Sequence, residues 1–465
     1  MTARPARCLA LALAITACES SYPVPIKVIL PEDDDSLDRA DNAALVLLPE
    51  GEIYSYEIDG TDFELALELE PDDVNRAIEL YLADGDQLLV WGTSAPFSTQ
   101  NPTEDLAIFL GQPGALSIYP GELVEPDPAV LAASAEDRGI VLLGAAGETF
   151  LFNQYTLDAD EGARFEPEGG APAADDGALL GDGVGGVLRV VWAESLAAWR
   201  FDPGLNEWSE IALTSTVEAT PRPGAAHLVD AAGTGVLIFG GGATRDVIEL
   251  SFVAESDDAR AVTVIDGLTL DDPRPGAHAS WLTREDTDDD EAVLLAGTRS
   301  PDVPALLIIP VADAPPTAVG PAEPWEALRC QQVDVGEAAK AGATIRALCA
   351  GGVRAGAPTA DGLLVRLTPG EAPEVEELPA LLGEAMAAPL WFSDDSAIYA
   401  QYDGRWLSIP RDTLELVETP SPALRARGGC SVKLGTGATF LLGGETVDEA
   451  AVDRWHVFTP AIPPG

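Results

Sequence analysis

Short apolar runs return along this chain every 50 residues or so, and most of them end on glycine. Residues 87–92 form the first, closing on Gly92, and 140–144 the second, closing on Gly144. Runs at 236–240, 293–297, 347–351 and 440–443 follow. The closing glycines lie 52 (144 − 92), 96 (240 − 144), 57 (297 − 240), 54 (351 − 297) and 92 (443 − 351) residues apart. The two long intervals are each nearly double the others, so each holds a run without its glycine: 187–192 and 397–402. A fixed period of this length means one supersecondary unit, repeated, with each copy burying its apolar face against the next.

The runs are too short for helices and are bounded by glycine and proline, so they read as strands. The predicted fold is all-β: a single β-propeller of four-stranded antiparallel blades. The eight runs favour eight blades, or seven if one unit is an elaborated loop. Each run is expected to be the second strand of its blade, where both faces meet neighbouring blades and apolar sequence need not alternate. The last unit stops after three strands near Phe458. Strand-like segments between Asn42 and Glu70 are expected to supply its outer strand, closing the ring and removing an exposed edge. Helix is expected only as a turn or two at 321–329 and 379–387.

The clearest unit runs from Trp199 to Gly242. An aromatic strand at 198–202 is followed by a turn holding Pro203, Gly204 and Asn206, then by a strand starting at Trp208. Pro221-Arg222-Pro223-Gly224-Ala225-Ala226-His227 then leads into the run closed by Gly240-Gly241-Gly242. Pro273-Arg274-Pro275-Gly276-Ala277-His278 repeats that lead-in one unit later. Arg425-Ala426-Arg427-Gly428-Gly429, Gly443-Gly444 and Trp455 echo it again. This pattern resembles the kelch repeat. The resemblance implies that His227 and His278 are structural, bonding backbone inside their blades. Kelch-type propellers include copper radical oxidases, which use two histidines, two tyrosines and a cysteine; no segment here presents that set.

The N-terminus reads as an export signal. Arg4 and Arg7 precede an apolar stretch from Cys8 to Ile15, too short to span a bilayer, and Ile15-Thr16-Ala17-Cys18 follows. The last four residues resemble a bacterial lipobox, which implies cleavage after residue 17 and a lipid on Cys18. The expected organisation is a signal peptide at 1–17, an acidic tether at 18–41 and a kelch-like propeller at 42–465. A lipid on Cys18 would be the membrane contact, placing the protein in the cell envelope, at the outer membrane or cell surface.

The formal charge of −52, from 78 acids against 26 bases, repels polyanions and excludes nucleic acid as a natural partner. Cys330 is expected at the start of an innermost strand and Cys349 near the end of the next. Antiparallel pairing brings those positions together as a candidate disulfide. The acid-rich stretch 284–291 holds Asp286, Asp288 and Asp290, a weak calcium candidate that lacks the spacing and glycine of a dedicated loop. Gly181 to Gly186 reads as a turn, since no lysine closes it as a phosphate loop. His227, His278 and His456 would form a metal centre only if they converged, and repeat-equivalent positions do not do so by default. Trp281, Tyr402 and Trp406 are aromatics that could line a binding face or fill the core. No cofactor is expected, calcium at that acid-rich stretch being only a weak alternative. The reading is a monomeric binding or scaffold protein that recognises a protein or glycan through its loops. A secreted oxidase or hydrolase acting on carbohydrate or alcohol groups, and a structural envelope component, are the alternatives.

Overall fold

The computed structural model describes residues 22–461 apart from several intervals, the longest being 166–176 and 443–453. Strands dominate; among the described residues helix is confined to Ser36–Arg39 and a 3-10 turn at Gly336–Ala339. The helical turns expected at 321–329 and 379–387 do not form. The first interval carries strands Trp325–Glu326 and the start of Arg329–Gln332, and Ala327 between them sits at φ +54°. The second is a set of turns in which Ala380 and Gly383 both take positive φ, which no helix accommodates.

The first strands build a two-layer unit that the repeat spacing did not reveal. Tyr22–Ile29 lies between Leu65–Leu69, antiparallel, and Leu106–Phe109, parallel. The facing sheet runs in the order Glu52–Glu57, Asn42–Leu48, Asn75–Asp84, Gln87–Thr93. Period-two alternation points Val24, Ile26, Leu45, Leu47, Ile78 and Leu80 into one core between the layers. Two expectations change. The interval 18–41 is not a tether throughout, because buried Val24 and Ile26 alternate with exposed Pro23, Pro25 and Lys27 and fold as a strand from residue 22. The run at 87–92 is an outer strand of this unit and not the second strand of a repeat.

From residue 131 onward the described residues form seven meanders, six of them four-stranded and the last three-stranded until an earlier segment completes it, with a small three-stranded sheet of Trp325–Glu326, Val353–Arg354 and Ala357–Pro358 beside them. The first sheet is Leu131–Ser134, Gly139–Leu143, Thr149–Asn153 and Arg164–Phe165. The second is Gly177–Gly181, Val187–Val191, Ala197–Asp202 and Glu207–Ile211. The third is Ala226–Val229, Gly235–Phe239, Asp246–Ser256 and Ala259–Thr269, extended by Leu213–Ser215 in parallel. The fourth is His278–Leu282, Ala292–Ala296, Pro304–Pro310 and Thr317–Ala322. The fifth is Arg329–Gln332, Ile345–Ala350, Gly362–Leu367 and Glu374–Leu378. The sixth is Leu390–Ser393, Ala397–Tyr402, Arg405–Pro410 and Val417–Pro420. The seventh takes Cys430–Lys433, Thr439–Leu442 and Arg454–Thr459 from the end of the chain. Its outer strand is Ala115–Glu122, antiparallel to Arg454–Thr459. The last unit is therefore completed from the N-terminal side, as expected, but by 115–122 and not by the strands at 42–70, which are committed to the two-layer unit.

All seven runs after the first are second strands. Gly139–Leu143, Ala292–Ala296 and Thr439–Leu442 are buried at every position. Cores form between sheets, so each second strand is covered on both faces. Val141 and Leu143 meet Val187 and Phe201 between the first two sheets, and Leu188 and Val190 meet Ile238 and Ile248 between the next two. Shared cores continue through the fourth, fifth, sixth and seventh sheets. Phe440 and Val457 of the seventh sheet then pack on Ile140 and Phe152 of the first. First strands lie side by side: third by fourth, fourth by fifth, fifth by sixth, sixth by seventh, and seventh by first.

Candidate binding site at the first strands

The Pro-Arg-Pro-Gly lead-ins bring the chain to the first strands of the third and fourth sheets. Arg222 and Arg274 are both buried. Nη1 of Arg222 donates to the carbonyls of Gly240 (3.3 Å) and Asp246 (2.6 Å). Arg274 does the same one unit on, donating to Gly297 (3.3 Å), Ala305 (3.4 Å) and Pro304 (3.1 Å), and its Nε bonds Asp271 (3.2 Å). Each guanidinium thus caps the junction between the second and third strands of its own sheet, adding a charged donor to carbonyls of which Asp246 and Ala305 also accept the N–H of Gly240 and Gly297. The two lead-ins also touch. The N–H of Gly276 donates to the carbonyl of Gly224 at 2.7 Å, and a Cβ on Gly224 would meet that nitrogen at 3.2 Å. Gly224 has φ +68°, so glycine is required there for conformation and for space. The third copy of the lead-in, with Arg425 and Arg427, lies outside the described residues.

The lead-ins deliver His227 and His278 to neighbouring first strands, and Arg329 opens the first strand after those. The three are evenly spaced, at 278 − 227 = 51 and 329 − 278 = 51 residues. His278 is half-buried, and its Nδ1 accepts from the backbone N–H of Cys330 at 3.5 Å. That bond crosses between sheets, where the kelch resemblance implied a bond within one, and it leaves the ring proton on Nε2. His227 lies against Trp192 with 5.2 Å between ring centroids and the ring planes tilted by 51°, and it is exposed to solvent. Crowding, then the positive charges of Arg329 and Arg189, push its pKa down to about 4. Burial, then Arg329 and His227, push that of His278 down to about 3. Both rings are neutral at pH 7. Burial also lowers the pKa of Arg329, and among the described residues no carboxylate acts on it.

Polar side chains fasten these first strands to one another. Trp281 Nε1 donates to the carbonyl of Val229 (2.7 Å), so this indole joins the fourth sheet to the third. Gln332 exchanges two bonds of 2.8 Å with the backbone of Thr283, and Gln331 donates to Ser393 Oγ (2.9 Å). Three sheets therefore present His227, His278 and Arg329 from rigidly coupled strands.

The other singled-out residues lie elsewhere. His456 is buried in the third strand of the seventh sheet, opposite Leu441 and Ile118. Trp406 is core, packed with Phe392, Tyr399 and Phe458, and Tyr402 is partly buried against the core between the fifth and sixth sheets. Cys330 and Cys349 face each other in register and are joined as a disulfide, with 4.0 Å between their Cα atoms. Asp182, in the turn at 181–186, accepts from Gly186 N–H (2.8 Å) and Arg200 Nε (2.7 Å), which makes that turn structural. Cys18 and the calcium candidates Asp286, Asp288 and Asp290 lie outside the described residues. Among the described residues no group of three His, Cys, Asp or Glu could hold a metal ion. Arg329 was not singled out from sequence, although the 51-residue spacing that links it to the two histidines was there to be read.

No protein-family model matches the chain, and no curated protein matches it. Several solved structures are similar at low identity. The β-propeller domain of Swd1 (Cps50) from Myceliophteria thermophila matches at 9% identity and a TM-score of 0.43, covering 73% of this chain and 99% of that one. YCF48, solved bound to D1 peptide, matches at 8% and 0.44, over 75% and 96%. A structural-genomics protein of unknown function from Bacteroides thetaiotaomicron matches at 11% and 0.39, over 89% and 90%. Likeness at this level bears on neither family nor ligand.

Proposed function

We propose that the seven meanders are blades of one closed, kelch-like β-propeller, and that the chain is a binding or scaffold protein of the cell envelope. Strand Ala115–Glu122 acts as the closing strand, a lipid on Cys18 holds the protein to the membrane, and the partner is a protein or glycan met at the first strands and their lead-in loops. One observation carries the binding reading. His227, His278 and Arg329 come from three different sheets, yet they sit on adjacent, cross-bonded strands with solvent access at His227. Rigid strands ending in loops of variable sequence suit recognition. Two measurements test this. A photo-crosslinking residue in place of Val229, on the same strand as His227, should capture a defined partner from envelope extracts. The same residue in place of Glu374, on the outer strand of the fifth sheet, should not. Equal capture at both positions, or none at either, rejects the proposed face. Cys18→Ser should move the protein from the membrane fraction to the soluble one; retention in the membrane rejects the anchor.

A further inference from the structure

We propose that Arg329, with His278 and His227 beside it, is a binding site for a carboxylate, set between the first strands of the third, fourth and fifth sheets. The inference gives the ligand chemistry of the binding face described above and rests on that reading. Its starting point is a missing partner. Acids outnumber Lys and Arg 78 to 26 in this chain, and the other enclosed arginines among the described residues each have a carboxylate or a carbonyl on the side chain, Arg189 through the Val190 carbonyl (3.1 Å). Arg76 pairs with Asp72 and Glu50, Arg200 with Asp182, and Arg346 with Asp334. Arg411 donates to the carbonyls of Asp394, Gln332 and Val333. Among the described residues, Arg329 alone of these enclosed guanidiniums has neither a carboxylate nor a carbonyl on its side chain. A cation stripped of part of its water and given no counter-charge is costly, and an incoming anion relieves that cost.

The neighbours select the kind of anion. The guanidinium presents parallel N–H groups whose spacing matches the two oxygens of a carboxylate. His278 spends Nδ1 on the Cys330 N–H, which leaves Nε2–H as a neutral donor at the same strand ends. His227 supplies a second neutral ring, backed by Trp192. The site therefore sets the Arg329 charge beside neutral ring donors, with Arg189 close enough to act on His227, inside a molecule whose net charge of −52 repels multiply charged anions at a distance. A monovalent carboxylate fits that balance better than a phosphate dianion. It could arrive on a small organic acid or on an acidic residue or chain terminus of a protein.

Titration calorimetry and thermal melts of the full chain test this, using acetate, a short glutamate-rich peptide and phosphate, with chloride as the control at matched ionic strength. Acetate or the peptide should bind saturably and raise Tm, and phosphate should do so less. Saturation by acetate identifies a small acid as sufficient; saturation by the peptide alone identifies a chain-borne carboxylate. Arg329→Gln should weaken binding about tenfold or more, the loss expected when charge-assisted hydrogen bonds go. The unliganded Arg329→Gln protein should melt no lower than the natural one, because it loses an unpaired charge and no ion pair. His278→Phe should weaken binding by a smaller factor. Absence of saturable binding by acetate and peptide, or binding that Arg329→Gln leaves unchanged, overturns the proposal. Loss of the Val229 cross-link while acetate still binds would instead reject the partner-binding face and leave the carboxylate site standing.

Discussion

Arg222 and Arg274 each donate to carbonyls at the turn between the second and third strands of their sheet. Removing one takes away two or three hydrogen bonds to carbonyls, although Asp246 and Ala305 keep the backbone N–H of Gly240 and Gly297. Arg274→Leu is expected to cost about 3 kcal/mol, read as a lower urea midpoint with unchanged m-value. Arg274→Lys should not restore it, because a single ammonium cannot reach the Gly297, Ala305 and Pro304 carbonyls together. His278 gives a pH signature. Its folded pKa, about 3, lies below the unfolded 6.5, so its contribution is fully present above pH 6.5. It is lost as pH falls from 6.5 toward 3, where the unfolded chain takes up a proton that the folded one refuses. Between pH 7 and 4, His278→Gln should lose less stability than the natural protein, by on the order of 1 to 3 kcal/mol once solvent at this half-buried site is allowed for. An equal loss in both proteins would show that the ring is not held neutral. The repeated lead-in was legible as a motif, but its chemistry was not, since no local pattern shows that its arginine reaches carbonyls some 20 to 30 residues onward.

At the scale of strands, what sequence revealed and what it hid have one cause. A second strand covered on both faces must be apolar at nearly every position, so Gly139–Leu143 or Ala292–Ala296 announces itself. Outer strands such as Glu374–Leu378, with burial on one side only, carry a weaker signal. The segment at 22–29 was hidden by the acids that follow it, and 87–92 matched the repeat period while belonging to another unit. The clearest sequence unit, Trp199 to Gly242, in fact straddles two sheets. The pair Cys330 and Cys349 was legible because start-to-end placement on antiparallel neighbours follows from the meander. It closes a loop of sequence separation 19. Replacing both cysteines by alanine should lower stability by about 3 kcal/mol under oxidising conditions, and reductant should erase the difference between the two proteins. Burial pushes the Cys430 thiol up to about 12, so alkylation at pH 8 should label its peptide in the unfolded chain and spare it in the folded one.

For the molecule as a whole, the decisive contacts lie between sheets, and Tyr119 stands where several meet. Its ring lies within 6.0 Å, centroid to centroid, of Phe109, Phe152, Phe440 and Trp455, and its hydroxyl donates to the Leu157 carbonyl. These partners come from the N-terminal unit, the first sheet and the seventh. Tyr119→Ala is expected to cost about 3 to 5 kcal/mol and to raise proteolytic cleavage near the seventh sheet before elsewhere. A uniform increase in cleavage would argue against that local role. The net charge of −52 predicts that Tm rises with sodium chloride between about 0.02 and 0.5 M as self-repulsion is screened; a flat response would show that the charges are already compensated. The strand at 115–122 has a further consequence. It emerges from the ribosome 332 residues (454 − 122) ahead of the strand it binds. Whatever escorts the nascent polypeptide must therefore shield an unmatched edge for most of its synthesis, and a message cut short before codon 454 would yield a product that can never cover it.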